Sequence, residues 1–338
     1  STQAKTLFPY TTLFRSMIPK GARQQGLKIQ VLAGGISHER DISLKSGRRL
    51  ADALTDAGAH VVLREPDHQL LDNIRRDAPD VIWPVVHGST GEDGALRDVL
   101  LLSGVPFVGA GPDGARLAWD KAIAKILVAR EGIQTPASIT LPKETFRDLN
   151  PNELFDSIVA QISLPLVVKP AKSGSAQGVT VVERADQLAR AMVDAYVYCD
   201  TAILEQFVAG TELAVSIIDL GAGPIALPAV EIEPVEGRYG FDERYTAGET
   251  NFYVPARLTE KAAQDAALLA IKAHEVLGLR HLSRIDIIVD AAGVPWFLEA
   301  NVAPGLTETS LLPQAVVASG NSLSEAYLSV AQAAIRLR

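Results

Sequence analysis

Residues 27–58, LKIQVLAGGISHERDISLKSGRRLADALTDAG, carry the pattern that decides the fold. The apolar run Ile29–Ala33 predicts a short buried strand, and Gly34-Gly35 predicts a turn directly after it. A helix is expected from about Asp41 to Ala57, with Gly58 as its C-terminal cap. Helical pattern separates the further predicted strands Val61–Leu63, Val81–Val86 and Val105–Val108. Because strands alternate with helices, the sequence predicts a parallel, doubly wound α/β sheet.

The chain beyond Trp119 has a more mixed pattern. We predict helices at Lys121–Glu131, from Pro151 after an Asn150 cap, and at Ala185–Tyr196, and strands at Leu166–Lys169, Val179–Val182 and Ala202–Gln206. Further along we predict strands at Leu213–Ile218 and Ile225–Ile232, a polar loop over 236–253, a helix at Lys261–Leu277, a hairpin of Ile285–Val289 with Pro295–Ala300, and a last helix opened by a capping box at Ser322–Glu325. A loop as long as 236–253 is unusual in a compact domain and suggests a function.

Composition is typical of a globular protein. The chain has 338 residues, enough for about two or three domains, with 47% hydrophobic and 21% charged residues. The net charge of −8 argues against a general nucleic-acid binder, and no apolar run reaches the roughly 18 residues that suggest a membrane helix. Cys199 is the single cysteine, so the sequence offers no internal disulfide and no cysteine-based zinc site. We therefore expect a cytoplasmic protein that binds neither nucleic acid nor membrane.

The first residues fit neither this pattern nor a targeting signal. Thr6–Ser16 lacks a basic segment followed by a long apolar core. It is similar to a forward translation of a common sequencing-adapter oligonucleotide, so we expect a non-native segment and a natural start at Met17. The alternative is a disordered natural tail. Under either interpretation, residues 1–26 are assigned no function.

Several loop residues are candidates for binding a ligand. The sequence holds neither a G-x-x-x-x-G-K-[ST] loop nor, at Ala33–Ser37, a G-x-G-x-x-G fingerprint. The small residues of Ser173–Gly178 would let backbone N–H groups approach an anion, with Lys169 supplying charge, although such a loop is more often a plain connector. His87 and Glu39 follow predicted strands, where ligands bind in open α/β sheets. A lone histidine there is more often structural, and Glu39 also suits a helix N-terminus.

The last hairpin carries an unusual group of polar residues. Alternation along its strands puts four side chains on one face: Arg284, Asp286, Glu299 and Asn301. Oxygen-bearing side chains on an interior face must be paired or must bind a cation, and hard oxygen ligands suit Mg²⁺. From the hairpin alone, a magnesium site and a salt bridge with Arg284 are equally open.

The pairing register of this hairpin can also be predicted. If the loop has about four residues, Val289 pairs with Val294. That register places Asp286 opposite Phe297. It also places Arg284 opposite Glu299.

Taken together, these residues resemble the D-alanine–D-alanine ligases of the ATP-grasp superfamily, in order over nearly all of residues 27–335. The matching pieces are Gly34–Arg40 with Ser43–Gly47; His87-Gly88 with Gly91–Gly94; Asp120-Lys121 with Lys125; Val168–Pro170 with Gly174-Ser175 and Gly178; Glu205 with Gly210 and Glu212; Tyr239 with Tyr245 and Pro255-Ala256; Arg284–Asp286; and Glu299–Asn301 with Pro304-Gly305 and Ser310. The pieces are modest singly and specific jointly. The resemblance implies an ATP-grasp fold, with a doubly wound N-terminal substrate-binding domain (27–119), a central ATP-grasp subdomain (120–207) and a C-terminal subdomain with the metal site (208–338).

The resemblance also implies roles for single residues. ATP would be bound by Lys121, Lys169, Glu205, Gln206, Val208 and Glu212, with Phe207 packing nearby. Two Mg²⁺ ions, for which Mn²⁺ is an alternative, would be held by Asp286, Glu299 and Asn301. Glu39 would bind the first substrate's ammonium and link to Ser175 and Tyr245. His87 would lie near that substrate's carboxylate, Arg284 and the Gly305 N–H would form an oxyanion site, and Ser310 and Arg244 would hold the second substrate's carboxylate.

By resemblance, the chain would join two D-alanines through an acyl phosphate, releasing ADP and phosphate, for peptidoglycan precursor synthesis. The loop around Tyr245 would close over the site, and the family implies a homodimer. Ala176, Gln177, Ser173, Arg244 and Val302-Ala303 depart from the common pattern. They leave open a related ligase with another second substrate, such as D-lactate, D-serine or another amino acid. Among these ligases, Tyr245 fits a dipeptide-forming member better than a depsipeptide-forming one. A non-catalytic regulator that binds ATP or an amino acid is a further alternative, against which the intact Asp286, Glu299, Asn301 and Arg284 argue.

Overall fold

The computed structural model describes residues 26–149, 151–235 and 248–337. The unusual segment up to residue 25, the Asn150 cap and the predicted site residues Arg244 and Tyr245 lie outside these ranges, as does Tyr239. Within the described ranges, no helix is both long and apolar enough to cross a membrane.

A three-stranded parallel sheet forms from the stretch that opened the sequence. Its elements run β1 (Lys28–Leu32), α1 (Arg40–Asp56), β2 (His60–Arg64), α2 (Leu70–Asp77), β3 (Val81–Pro84), α3 (Ser89–Glu92), α4 (Ala95–Leu102) and α5 (Pro112–Trp119). The strand order is β2-β1-β3. Val31 packs in a core with α1, while Leu32 packs on the other face with α2 and α4. The doubly wound prediction is therefore confirmed.

The prediction of a further strand at Val105–Val108 is wrong. Phe107 makes one parallel bridge to Ile82. In this bridge Ile82 N donates to Pro106 O at 2.9 Å, and Ile82 O accepts from Val108 N at 2.9 Å. Pro106 has no N–H to extend the ladder. Gly109, at φ +95°, then turns the chain away from the sheet.

The second sheet is antiparallel. Its elements run α6 (Lys121–Arg130), β4 (Ser138–Pro142), α7 (Lys143–Asp148), α8 (Pro151–Ile162), β5 (Leu166–Pro170), β6 (Thr180–Val182), a 3₁₀ turn (Ala185–Gln187), α9 (Leu188–Tyr196) and β7 (Thr201–Gln206). The order is β4-β7-β5-β6. The sequence pattern missed β4, whose only buried side chain is Leu141. Asp120 caps α6, since its carboxylate accepts from Ile123 N at 3.2 Å. Lys121 and Lys125 are four positions apart in this helix and therefore lie one turn apart on the same face.

The third sheet is also antiparallel and completes the fold. Its elements run β8 (Gly210–Asp219), β9 (Pro224–Ala226), β10 (Val230–Pro234), β11 (Thr250–Tyr253), α10 (Glu260–Val276), β12 (Leu282–Asp290), β13 (Pro295–Asn301), α11 (Leu311–Ala318) and α12 (Leu323–Arg336). The order is β11-β10-β8-β12-β13, with β9 paired to β8. Helix α10 packs on one face of this sheet, and α11 and α12 pack on the other. The domain boundaries at 119/120 and 207/208 stay a prediction.

Three predictions for this region are corrected by the structure. The predicted strand Ile225–Ile232 is two strands, because Pro228 lies in the gap between β9 and β10 and cannot donate to a ladder. The predicted loop 236–253 ends in strand β11, whose Thr, Phe and Tyr residues favour pairing with β10. Ser322 precedes the last helix with extended backbone, but its hydroxyl makes no capping hydrogen bond, so the capping box does not form.

The predicted register of the β12–β13 hairpin is also wrong. Val289 pairs with Pro295 instead of Val294, because the Asp290 carboxylate accepts from Val294 N at 2.9 Å and draws that residue into the turn. A second shift follows at Leu298, which the pairing skips.

Asp286 therefore lies opposite Glu299, and Arg284 lies opposite Asn301. The predicted shared face is confirmed, because directly opposed residues project to the same side of a sheet.

Candidate active site

Two cavities meet where the three sheets converge. The first, the nucleotide cleft, lies between the second and third sheets and is lined by residues that include Lys169, Ala176, Val181, Glu205–Val208, Glu212, Glu231–Pro234, Asp286, Ile288 and Leu298. The second, the inner cavity, faces the first sheet and is lined by residues that include Glu39, His87, Glu92, Trp119, Gly174, Ser175, Arg284, Asn301, Gly305 and Ser310. Lys121, Ser173 and Glu299 belong to both linings. A group held at this junction can reach either side.

A buried charge cluster lies under the nucleotide cleft. Glu205 is 3% exposed and forms one ion pair with Lys169 Nζ at 2.5 Å and a second with Lys125. Burial alone would raise the pKa of Glu205, but Lys169 and then Lys125 hold it below the ordinary carboxyl value. Burial lowers the pKa of Lys125, against the charge of Glu205. The sequence pattern had assigned no role to Lys125, although its spacing of four residues from Lys121 was a usable signal.

The nucleotide cleft also collects the other residues predicted to bind ATP. Gln206, Phe207 and Val208 leave the end of β7 and line the cleft. Glu212 on β8 lies in register with Ile288 and with Ile232, so a carboxylate sits within an apolar wall. This arrangement suits a ligand with a flat apolar part and a hydroxylated part.

The hairpin face presents oxygen atoms at the junction. Arg284 donates to both carboxylate oxygens of Asp286, at 2.7 and 2.8 Å. Lys121 Nζ lies 3.2 Å from Glu299, and Asn301 Oδ1 accepts from Ala303 N at 2.8 Å. The salt bridge that the sequence left open is therefore present.

The same face fits a hard cation. The described residues contain no group of three or more His, Cys, Asp or Glu side chains suited to a metal. Two carboxylates and an amide oxygen nevertheless match the donors that Mg²⁺ takes, since it is commonly held by one or two carboxylates together with nucleotide phosphates. A carboxylate also has about four lone-pair sites, so the pairing of Asp286 with Arg284 leaves oxygen positions for an ion.

The loop after β5 closes against the first sheet. Lys121 Nζ donates to Ser173 O at 2.6 Å, and Ser175 Oγ donates to Glu39 Oε1 across 136 positions of sequence. A Cβ at Gly174 would lie 2.8 Å from Glu39 Oε1, so a larger residue would displace the Glu39 carboxylate from its contact with Ser175. Ser175 and Ala176 both adopt positive φ, +51° and +55°, which is costly outside glycine and keeps the loop in a specific bend.

His87 is buried between the first sheet and residues 301–306, which we call the oxyanion segment after the role predicted for Gly305. Its Nε2 lies 3.1 Å from Ser46 Oγ, and the same hydroxyl accepts from Leu306 N at 3.2 Å. The ring also bonds to the backbone of Ala303. Burial lowers the pKa of His87 to about 4, and the charge of Arg284 acts in the same direction. The ring is therefore neutral near pH 7 and serves as a hydrogen-bonding group.

Glu92 is a second buried carboxyl group at the inner cavity. It is 6% exposed and accepts from Gly88 N at 2.8 Å. Burial and then the charge of Glu39 raise its pKa to about 8. The sequence singled out the motif that contains Glu92 but gave the residue no role, because burial is not visible in a single motif.

The oxyanion segment leads from the hairpin into the next turn. Ser310 Oγ accepts from Thr307 N at 2.9 Å, and a Cβ at Gly305 would lie 2.7 Å from that oxygen. Gly305 therefore allows a close approach between the turn and Ser310. Both residues line the inner cavity with Arg284.

The unusual Val302-Ala303 pair lies beside a buried arginine that the sequence pattern missed. Arg97 on α4 is 1% exposed, and its guanidinium donates to Ala110 O at 3.1 Å and to Val302 O at 3.5 Å. Burial lowers the pKa of Arg97 to about 10. Side chains from the elements around the first sheet, Arg97, His87 and Ser46, thus bond to the backbone of the oxyanion segment. The signal in the sequence was one arginine, next to Asp98, in a helix whose other residues are apolar.

Known proteins are similar to this chain over most of its length. Residues 127–328 match a family model described as the D-ala D-ala ligase C-terminus. A D-alanine–D-alanine ligase of Bordetella petrii is 36% identical over 303 residues, which is 90% of this chain and 90% of that protein. Another, from Pelotomaculum thermopropionicum, is 36% identical over 294 residues, which is 87% of this chain and 92% of that protein.

Solved structures share the fold over most of the chain. VanG D-Ala:D-Ser ligase from Enterococcus faecalis has a TM-score of 0.78 and 26% identity, over 92% of this chain and 100% of that one. D-alanine–D-alanine ligase from Bacillus anthracis complexed with ATP has a TM-score of 0.76 and 26% identity, over 92% of this chain and 98% of that one. The fold and the site together define an ATP-grasp ligase. Within that class, the chain belongs to the D-alanine–D-alanine ligase family.

Proposed function

We propose that this protein joins two D-alanines into D-alanyl-D-alanine at the expense of ATP, for peptidoglycan precursor synthesis. The observation that carries the proposal is the junction of the two cavities at Lys121, Ser173 and Glu299. A nucleotide in the cleft would place its terminal phosphate at this junction. An amino acid in the inner cavity would place its carboxylate at the same point.

The reaction has two steps. A carboxylate oxygen of the first D-alanine attacks the γ-phosphorus of ATP, the bond to ADP breaks, and an acyl phosphate forms. The deprotonated amine of the second D-alanine then attacks the acyl carbon to form a C–N bond. The C–O bond to phosphate breaks, inorganic phosphate leaves with that electron pair, and the new amide nitrogen loses one proton to the departing phosphate or to water. Exclusion of water protects the acyl phosphate from hydrolysis.

The first substrate would lie between Glu39 and His87. Glu39 supplies a carboxylate for its ammonium, held in place by Ser175. His87 is neutral near pH 7 and fixed by Ser46, so it would act by hydrogen bonding near the substrate carboxylate. Tyr245, outside the described residues, would extend the Glu39–Ser175 chain.

The oxyanion and the second substrate would lie at the end of the hairpin. Arg284 and the Gly305 N–H would stabilise the negative oxygen of the tetrahedral intermediate. Ser310 would hold the second substrate's carboxylate together with Arg244, which lies outside the described residues. Ser310 contacts the Gly305 turn, so acceptor binding and oxyanion stabilisation share one segment.

The nucleotide would lie between the second and third sheets. Lys121 and Lys169 would contact its phosphates, while Glu205, Gln206, Val208 and Glu212 would line its adenine and ribose pocket. Asp286, Glu299 and Asn301 would hold two Mg²⁺ ions, or Mn²⁺ in their place. When bound, these ions would offset negative charge on the transferring phosphoryl group.

The setting of the enzyme belongs to the same proposal. We expect a cytoplasmic homodimer. Each chain would consist of an N-terminal domain (27–119), a central subdomain (120–207) and a C-terminal subdomain (208–338). Light scattering of the purified protein measures the mass directly, and a mass near that of one 36.1 kDa chain would contradict the dimer.

The identity of the second substrate is the point that needs a direct test. The structural likeness to a D-Ala:D-Ser ligase makes D-serine a necessary competitor. We would measure phosphate release from ATP and Mg²⁺ with D-alanine, L-alanine, D-serine and D-lactate, and identify products by mass. D-alanyl-D-alanine as the main product supports the proposal. Preferred use of D-serine or D-lactate would identify that compound, in place of D-alanine, as the second substrate. ATP binding without phosphate release in the presence of any of these compounds would indicate a regulator.

A further inference from the structure

A compact ionic cluster lies at the edge of the third sheet, beside the nucleotide cleft. We call it the Arg257 cluster, formed by Arg257, Glu231, Glu233 and Tyr253. Glu231 and Glu233 alternate with Ile232 along β10, and all three line the cleft. Tyr253 on β11 lies directly opposite Glu231. The cluster is therefore built across the outermost strand pair of the sheet.

Arg257 is the centre of the cluster. Its Nη2 lies 2.6 Å from Glu231 Oε1 and 2.8 Å from Glu233 Oε1, and its Nε lies 3.1 Å from Glu231 Oε1. Its backbone N–H donates to Glu231 Oε2 at 2.8 Å. The guanidinium lies 3.5 Å from the centre of the Tyr253 ring, and the Tyr253 hydroxyl donates to Glu233 Oε2 at 2.8 Å. One cation is thus shared by two carboxylates.

The charges of the cluster do not cancel completely. Hydrogen bonds from Arg257 are the largest cause that lowers the pKa of both Glu231 and Glu233, so both are ionised near pH 7. Glu231 is 5% exposed, and a buried carboxylate requires a paired charge. With Arg257 present, the cluster carries one net negative charge. Without Arg257, the carboxylate charge of Glu233, and of Glu231 wherever it stays ionised, would be uncompensated at the wall of a cleft proposed to accept a triphosphate.

We propose that Arg257 is a positioning residue for the nucleotide, which acts through Glu231 and Glu233 by neutralising carboxylate charge that would otherwise repel the phosphates. This inference rests on the proposed function, because it requires that the nucleotide cleft binds ATP. The effect is electrostatic, so it grows with the charge of the ligand and shrinks with added salt. If Arg257 acted only as a structural clasp, holding β10 and β11 together, its loss would change the affinity of every ligand of the cleft equally, whatever the charge of the ligand.

The test compares three ligands of rising charge: adenosine, ADP and ATP. Binding to the full chain is measured by calorimetry without D-alanine. For Arg257→Gln, we expect ATP affinity to fall about fivefold at about 10 mM ionic strength, where the Debye length is about 30 Å, and less than about twofold at 1 M. ADP affinity should fall less than ATP affinity, and adenosine affinity should stay within about 1.5-fold of wild type.

Three further variants separate charge from geometry. Arg257→Gln with Glu233→Gln restores the net charge of the cluster but not its contacts, and should recover ATP affinity. Arg257→Lys keeps the charge and should bind ATP within about twofold of wild type. Glu233→Gln alone should bind ATP more tightly than wild type at low salt, and it tests the inference even if Arg257→Gln folds poorly. Arg190→Gln is the matched control, because Arg190 pairs with Asp194 on the surface of α9 and is 82% exposed.

The outcomes are distinct. Equal weakening of adenosine and ATP by Arg257→Gln, or weakening that salt does not change, would overturn the inference in favour of a structural clasp. Unchanged ATP affinity in Arg257→Gln and Glu233→Gln would overturn it as well. If wild type binds neither ADP nor ATP, the proposed function itself fails. If wild type binds ATP and only the variant pattern is absent, the proposed function stands and this inference alone is wrong.

Discussion

Asp286 and Glu299 face each other directly across the β12–β13 hairpin. Like charges in directly opposed positions repel, and each carboxylate is accordingly beside a cation, Arg284 for Asp286 and Lys121 at 3.2 Å for Glu299. The skipped residue Leu298 creates this pairing, because a regular ladder continued from Ile287 and Phe297 would place an apolar residue opposite each of the two acids. The pair stands at the junction of the two cavities, where a hard cation and a phosphate would meet.

Replacement of Glu299 by alanine should abolish turnover without unfolding the protein. The variant removes one proposed metal ligand and the ion pair of Lys121, and we expect kcat to fall by at least about 100-fold. Phosphate release measures the activity, and the thermal unfolding midpoint measures folding. The control is Glu275→Ala, a change on the exposed surface of α10. Wild-type activity in Glu299→Ala would refute the metal assignment.

Replacement of Gly305 by alanine should impair catalysis through a local clash. The added Cβ would lie 2.7 Å from Ser310 Oγ, so the turn or the Ser310 hydroxyl must shift, and either shift disturbs the proposed oxyanion and acceptor site. We expect a loss in kcat of about 100-fold, comparable to removal of one oxyanion donor. Gly111→Ala is the control, because Gly111 has an ordinary φ of −66° and no heavy atom within 4 Å of an added Cβ. Equal kcat in the two variants would count against the oxyanion role.

Replacement of Lys125 by methionine should destabilise the fold. Glu205 would keep Lys169 as its single cation, and loss of one partner of a buried ion pair costs about 3 kcal/mol. The lowered pKa of Glu205 contributes stability above the ordinary carboxyl pKa, and this contribution is lost as pH falls through the folded value. The difference between wild type and variant should therefore shrink in acid. Urea unfolding at several pH values measures it, with the exposed Lys143→Met as control. A pH-independent difference would contradict this account.

Replacement of Glu92 by glutamine should change how stability depends on pH. The folded pKa of Glu92, about 8, lies above the ordinary carboxyl value, mainly because of burial. Its contribution is therefore full below the ordinary carboxyl pKa and is lost as pH rises toward 8. Relative to Glu92→Gln, wild type should lose up to about 1.4 kcal/mol per pH unit over this window. Urea unfolding from pH 5 to about 8 tests it, and parallel curves for wild type and variant would show that Glu92 is ionised throughout.

The sequence predicted the face of the last hairpin but not its register. Strand alternation requires only a period of two, so the sequence could place Arg284, Asp286, Glu299 and Asn301 on one face. The register depended on Asp290 binding Val294 N and on the skip at Leu298. Both are tertiary details of a turn and a bulge, which no periodicity contains.

Contacts between distant segments were equally beyond the sequence pattern. The motif that contains Glu92 was visible, but its raised pKa depends on burial beside Glu39, 53 positions away in sequence. The contact of Arg97 with Val302 spans 205 positions. The predictions for two short elements failed for a different reason. Strand β4 was missed because it has only one buried side chain. The strand predicted around Pro106 does not form, because Pro106 has no N–H to continue the ladder that its apolar neighbours suggested.

The shared wall of the two cavities has a consequence for inhibitor design. Because Lys121, Ser173 and Glu299 line both spaces, a bisubstrate compound would need only a short linker past these residues to join a nucleotide to an amino-acid mimic. A short linker gives the second half a high effective concentration once the first is bound. Resistance by point mutation would then be constrained, since a change at the junction weakens the compound and both natural ligands together.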